Sequence, residues 1–197
     1  MVSCPPWAEG RGGSCFPKDV KALVAAGTKK GYVPKILKAT LAVNETQPLQ
    51  GVQLAQAAVR SLKGKRVAIL GLSFKGGFDD VRESRAIPLA KALLKKGAKA
   101  VGFDPIGADA SHREVPKVEI AKDLRSALAH ADVWFVHNDG PEERGLATAD
   151  FSGMRRKTVI DGRRILKRRA MHGVDLICSA DDRRRREGPS ERRLSRC

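Results

Sequence analysis

Apolar residues in the first third of the chain recur every three or four positions, the rhythm of amphipathic helices. Val20, Leu23 and Val24, with Ala22, Ala25 and Ala26 beside them, predict a short helix capped by Asp19 and ended by Gly27. Pro34 opens a second helix with a stripe of Ile36, Leu37, Thr40, Leu41 and Val43, which Pro48 is expected to end or kink. A third helical stretch over residues 49–62 carries Val52, Leu54, Ala55, Ala58 and Val59. At Arg66 the rhythm changes. Arg66-Val67-Ala68-Ile69-Leu70 is a continuous apolar run stopping at Gly71, as in a buried strand. Ser84 is placed to cap a helix through Ile87, Leu89, Ala90, Leu93 and Leu94, closed by Gly97. Further strands are predicted at 99–103, 118–120, 132–137, 158–161 and 174–178, with a helix at 124–131.

Strand and crossover helix in alternation predict an α/β fold, a Rossmann-like parallel sheet with helices on its faces. Ligands of such sheets lie at the carboxyl ends of the strands. The segments that deserve most weight are therefore Gly71 to Arg82, Asp104-Pro105, His137-Asn138-Asp139 and Asp161-Gly162-Arg163.

Composition sharpens this picture. The chain has 197 residues, 42% of them hydrophobic, which suffices for one ordinary domain and an extension. Two Trp, one Tyr and six Phe leave the core to Val, Leu, Ile and Ala. The net charge of +16 points to phosphate-bearing partners. Much of it lies late, in Arg155-Arg156-Lys157, Arg163-Arg164, Lys167-Arg168-Arg169 and Arg183 to Arg186. Residues 181–197 read as an Arg-rich disordered tail. Without interleaved aromatics, nucleic acid is an unlikely partner, and a non-catalytic basic nucleotide- or nucleic-acid-binding module is the alternative reading. Cys4, Cys15, Cys178 and Cys197 show no metal-site spacing, and no metal is expected. Reduced thiols in a cytoplasmic setting fit best, and no apolar run reaches the ~20 residues of a membrane span.

The chemistry concentrates in Gly12-Gly13-Ser14-Cys15-Phe16-Pro17-Lys18-Asp19. The glycines let backbone approach a ligand closely. Pro17 is expected to hold Phe16 extended. Lys18 adds positive charge near the thiol, and Asp19 can accept a proton or orient a water. The plain alternative is a buried cysteine beside an ordinary turn. A second candidate is the loop from Gly71 to Ser84, which runs from a strand into a helix and carries Lys75 and Arg82, cations suited to phosphate. It is neither GxGxxG nor a P-loop. His112, His130, His137 and His172 are scattered and read as ordinary residues, and Cys178 reads as core.

At these residues the chain resembles the nucleotide-sugar dehydrogenases, the UDP-glucose/GDP-mannose dehydrogenase family. The likeness lies in Gly12 to Asp19, Val43-Asn44-Glu45-Thr46-Gln47, Val67 to Ser84, Ala100 to Pro105 and Val159 to Leu166. Phe16 after the thiol favours the UDP-glucose branch. The resemblance implies NAD-dependent oxidation of C6 of a UDP-hexose in two steps, through a cysteine-bound thiohemiacetal and thioester. It implies Cys15 as nucleophile and Asp19 as the residue that positions the hydrolytic water. It implies Gly12 and Lys75 as substrate contacts, and Lys18 and Arg82 as NAD contacts. Arg11 stands where the family usually has Phe, and Phe78 where Thr is common. The family's NAD-binding domain would precede residue 1, so the chain is expected to be a C-terminal portion that binds nucleotide sugar without turnover. Residues 1–62 would be part of the central dimerisation domain and 63–180 the UDP-sugar-binding domain. Helices within 34–62 would pair two copies into a homodimer.

Overall fold

The structure, a computed structural model, describes residues 12, 13 and 15–178; the predicted Arg-rich tail, Cys4 and Cys197 lie outside the described residues. Two helices come first, α1 (Phe16–Lys29) and α2 (Lys35–Val59). A parallel α/β unit follows: β1 (Arg66–Leu70), α3 (Ala86–Lys95), β2 (Lys99–Phe103), α4 (Ala108–Glu114), β3 (Glu119–Ile120) and α5 (Leu124–Leu128). It continues with β4 (Val133–Val136), α6 (Pro141–Arg144), β5 (Thr158–Asp161) and β6 (Asp175–Cys178).

All strand pairs are parallel, and the sheet order is β3-β2-β1-β4-β5-β6. This is the doubly wound order, whose direction reverses between β1 and β4 and opens a crevice there. Alternate residues feed two cores. Val67, Ile69, Val133 and Phe135 face α2 and α3, where Val52, Ala55, Leu89 and Leu93 meet them. Ala68, Leu70, Trp134 and Val136 face Leu128, Phe151 and Met154 on the other side. The Trp134 and Phe151 rings lie 4.8 Å apart. Aliphatic residues supply most of the core, but its largest buried side chains are aromatic.

Besides α3, where Arg85 rather than Ser84 holds the cap position, three helix expectations are corrected. First, α1 begins at Phe16 with Cys15, not Asp19, in the cap position. Pro17 sits in the first turn, where no intrahelical amide is required, so Phe16 is helical rather than extended. Second, α1 runs through Gly27 to Lys29, and the chain turns at Gly31, whose φ is +77°. Third, Pro48 neither ends nor divides α2, which is one helix of 25 residues. An interior proline costs about 3 kcal/mol in an isolated helix. Here Pro48, Gly51, Val52, Ala55 and Val59 form a buried stripe, and this packing overrides the local defect. Gly51 permits the close approach: a Cβ there would lie 3.2 Å from the Phe135 ring. Helices α4 and α6 have no counterpart in the sequence expectations, being short and without a clear apolar period.

Among the described residues no helix is long and apolar enough to cross a membrane. None of their His, Cys, Asp and Glu side chains form a group of three or more suited to a metal ion.

Candidate functional site

The loop after β1 forms the floor of the site. Gly71, with φ +79°, turns the chain where a side chain would collide with Asn138 at the end of β4. Asp104, past the end of β2, then pins the loop. Its Oδ2 accepts from the Leu72 amide at 2.8 Å, the Ser73 amide at 2.8 Å and the Ser73 hydroxyl at 2.9 Å. Its Oδ1 accepts from the amides of Ile106 at 3.0 Å and Gly107 at 2.7 Å. Burial alone would push this carboxyl up, but the amides of Ser73, Gly107, Ile106 and Leu72 together hold it below its ordinary value. Asn138 Nδ2 donates to the Ser73 carbonyl at 3.1 Å and hydroxyl at 3.0 Å. The crevice predicted at the carboxyl ends of β1, β2 and β4 thus has a rigid base.

Asp161, at the end of β5, is fully buried and braces the next loop by accepting from the amides of Arg163 at 3.0 Å, Arg164 at 2.6 Å and Leu166 at 2.9 Å. Burial dominates there and pushes its carboxyl up. Arg163 Nε donates to the His137 carbonyl, tying the β4 and β5 ends together.

The thiol segment rests on the first loop. A Cβ on Gly12 would lie 2.5 Å from the Glu83 carbonyl oxygen, and one on Gly13 3.1 Å from the Phe74 ring. The contact requires glycine at position 12, and a φ of +94° favours it at 13. Cys15 follows at the start of α1, exposed, with its carbonyl accepting the Asp19 amide at 2.9 Å.

Cys15 opens into a cleft of about 760 Å³ whose walls include Lys18, Glu45, Arg82, Glu83, Ser84, Arg85 and Glu114. Arg82 is folded back on Asp80 as a bidentate pair, with Nε to Oδ1 at 2.9 Å and Nη2 to Oδ2 at 2.8 Å. The pair pulls the Asp80 carboxyl down and raises the guanidinium, to which the nearby Cys15 also contributes. Lys18 pairs with Asp19 at 3.3 Å in the open.

The structure therefore brings Cys15, Lys18 and Arg82 into one cleft and seats Gly12 against its wall. Asp19 and Lys75 are not among the cleft's walls. Lys75 Nζ lies 5.2 Å above the Phe78 ring instead. Phe78 in turn meets Phe74 at 6.0 Å. Cys178 is half-buried at the end of β6, and burial, then the Asp161 charge, pushes its thiol up. Sequence reasoning gave Glu83, Arg85 and Glu45 no role, although Glu45 and Glu83 lie in segments that carry the family resemblance; nothing in their spacing shows that they meet.

The six-stranded domain does not itself fit a dinucleotide. Its β1 turn, Gly71-Leu72-Ser73, lacks the glycine fingerprint, and Asp104 already accepts five donors of its own chain. Lys18 and Arg82 on the walls of the cleft are cations of the kind that suits a dinucleotide's phosphates, each held by a carboxylate of this chain, Asp19 and Asp80.

Fold and site together define a doubly wound domain of the nucleotide-binding type with an exposed thiol docked at its carboxyl edge. Residues 68–168 match the UDP-binding domain of the UDP-glucose/GDP-mannose dehydrogenase family, and residues 8–46 match that family's central domain. The chain belongs to this family. It is 46% identical over 166 residues to UDP-glucose 6-dehydrogenase AglM of Haloferax volcanii, covering 84% of this chain and 38% of that protein. A UDP-glucose 6-dehydrogenase of Rhizobium meliloti is 34% identical over 171 residues, again with 38% of its length covered. The structure of a UDP-glucose dehydrogenase from the archaeon Pyrobaculum islandicum superposes with a TM-score of 0.76 at 35% identity. That match covers 87% of this chain and 38% of the other. The chain thus spans well under half the length of these relatives.

Proposed function

We propose that this chain supplies the thiol and the nucleotide-sugar site of a UDP-hexose 6-dehydrogenase, with UDP-glucose as substrate. The observation that carries this reading is the seating of the thiol segment on the loop that leaves β1, Gly12 against Glu83 and Gly13 against Phe74, beside a cleft lined by Cys15, Lys18 and Arg82. The pyrophosphate of the nucleotide sugar would lie along that loop, with Lys75 closing on it from the Phe78 side. Asp104 and Asn138 would act through Ser73, holding the loop still while ligand binds.

NAD, presented by a separate dinucleotide-binding domain, would supply the hydride acceptor, with Lys18 and Arg82 on its edge. The carbon–sulfur chemistry would fall to Cys15 of this chain. Cys15 Sγ adds to the C6 aldehyde and forms a C–S bond, and the aldehyde oxygen takes a proton to give a thiohemiacetal. Once that carbon is oxidised to the thioester, water attacks, the C–S bond breaks and the carboxylate leaves. Asp19, one helical turn beyond the thiol, would orient that water after a rotation away from Lys18. Two copies would associate through α2, where Ile36, Val43 and Leu49 are exposed. A cytosolic setting goes with a reduced Cys15.

Calorimetric titration tests the reading. UDP-glucose should bind, Lys75→Ala should weaken binding, and moderate salt should leave most of the affinity in place. Affinity for any polyanion, collapsing with salt, would identify a basic module instead.

A further inference from the structure

Glu83 stands where three parts of the site meet. Its carbonyl oxygen seats Gly12, and its carboxylate reaches two elements at once. Oε1 accepts from Lys21 Nζ on α1 at 2.9 Å. Oε2 accepts from Arg85 Nη2 at 2.7 Å. Arg85 is 5% exposed, donates from Nε to the Glu83 carbonyl at 3.2 Å, and pairs through Nη1 with Glu45 of α2 at 3.4 Å. The Lys21 hydrogen bond, against the opposing pull of burial, holds the Glu83 carboxyl below its ordinary value, so it is charged at neutral pH.

Two further facts make this more than a surface ion pair. The Glu83 backbone adopts φ +54°, a conformation that glycine takes freely and glutamate does not. Glycine would relieve the backbone; what glycine lacks is the carboxylate. Meanwhile Pro17 is the buried residue of α1, and Phe16 and Leu23 on that helix are 69% and 60% exposed. Val20 and Val24 are half-buried, so apolar packing holds the helix that begins at Cys15 only in part, and polar contacts add to it.

We propose that Glu83 is a positioning residue, the joint that docks the Cys15 helix onto the nucleotide loop. The inference rests on the proposed roles of Cys15 and of the loop over residues 71–85. Lys21 fixes the helix side of the joint, Arg85 the loop side, and Glu45 links it to α2. A shift of the loop on ligand binding would pass to the thiol through this side chain as well as through the contacts at Gly12 and Gly13.

Hydrogen exchange on the full chain tests it, with Glu83→Gln, Glu83→Gly and Lys21→Gln beside the wild type. Amides of α1 should exchange about fivefold faster in each variant, the scale of one partly exposed ion pair. Glu83→Gln combined with Lys21→Gln should add nothing further. Amides of β1 and β4 should be unchanged, and the Tm of Glu83→Gly should be unchanged or raised. In the wild type α1 protection should fall as acid protonates Glu83, a step missing in Glu83→Gln. Unaltered α1 exchange would overturn the proposal, as would acceleration throughout the sheet with a lowered Tm, the mark of a merely structural role. UDP titrated in parallel should bind the wild type. Failure of the wild type to bind UDP would refute the proposed function, while the exchange data still decide the role of Glu83.

Discussion

Asp104 and Ser73 share two hydrogen bonds, from the Ser73 amide at 2.8 Å and its hydroxyl at 2.9 Å, both ending on Asp104 Oδ2. A carboxylate at the end of β2 thereby shapes the loop at the end of β1. Asp104→Asn would turn part of this acceptor into a donor facing other donors. The expected loss is about 2 kcal/mol in urea unfolding at pH 7, typical for hydrogen bonds to a buried charge.

The same carboxylate fixes the sign of one pH dependence. Asp104 is held below its ordinary value in the folded chain. Its stabilisation is present above the unfolded value of about 3.9 and is lost as pH falls through the lower folded value. Urea midpoints measured from pH 6 downward should show this acid-side loss in the wild type and a smaller one in Asp104→Asn.

Two glycines of the loop separate strain from collision. Gly71 and Gly77 have φ +79° and +82°, but a side chain on Gly71 meets Asn138 while one on Gly77 meets nothing within 4 Å. Gly77→Ala should lose about 1 kcal/mol from backbone strain alone. Gly71→Ala should lose clearly more, about 3 kcal/mol, since overpacking adds to strain. Equal losses would show that the contact with Asn138 does not matter.

The sheet was legible because its strands are short continuous apolar runs between turn residues, and burial on both faces requires that pattern. Arg66-Val67-Ala68-Ile69-Leu70 is β1 to the residue. The helices were less legible where packing outweighs local preference. Pro48 reads as a break until the stripe of Gly51, Val52 and Ala55 is seen against the sheet. Asp19 reads as a cap until Cys15 is found in that position. Cys15, Lys18 and Arg82 were singled out through resemblance, and that they line one cleft is visible only in the fold. The joint at Glu83 was not legible, because Lys21, Glu45, Glu83 and Arg85 meet only after the helices and the loop have packed together.

Arg82 is 75% exposed in its side chain, so its removal should leave stability within about 0.5 kcal/mol. It should matter to the thiol. Arg82→Ala should slow iodoacetamide labelling of Cys15 by up to about fivefold, as expected for loss of one exposed cation nearby. An unchanged rate would remove Arg82 from the account of the thiol.

Ile36 on α2 is 81% exposed, an apolar side chain on the face assigned to a second copy. Ile36→Lys should shift sedimentation toward the monomer and leave the Tm of the α/β unit nearly unchanged. A wild-type chain that sediments as a monomer at every concentration would contradict pairing through α2.

The most direct measurement is the labelling rate of Cys15 with and without saturating UDP-glucose, read by mass spectrometry of the peptide that holds it. Cys178 serves as the internal reference, since burial and the Asp161 charge push its thiol up. If the thiol and the nucleotide-sugar site lie side by side on the loop after β1, ligand slows the labelling of Cys15 and leaves that of Cys178 unchanged. Labelling of Cys15 at the same rate in both conditions, with UDP-glucose shown to be bound, would contradict the account.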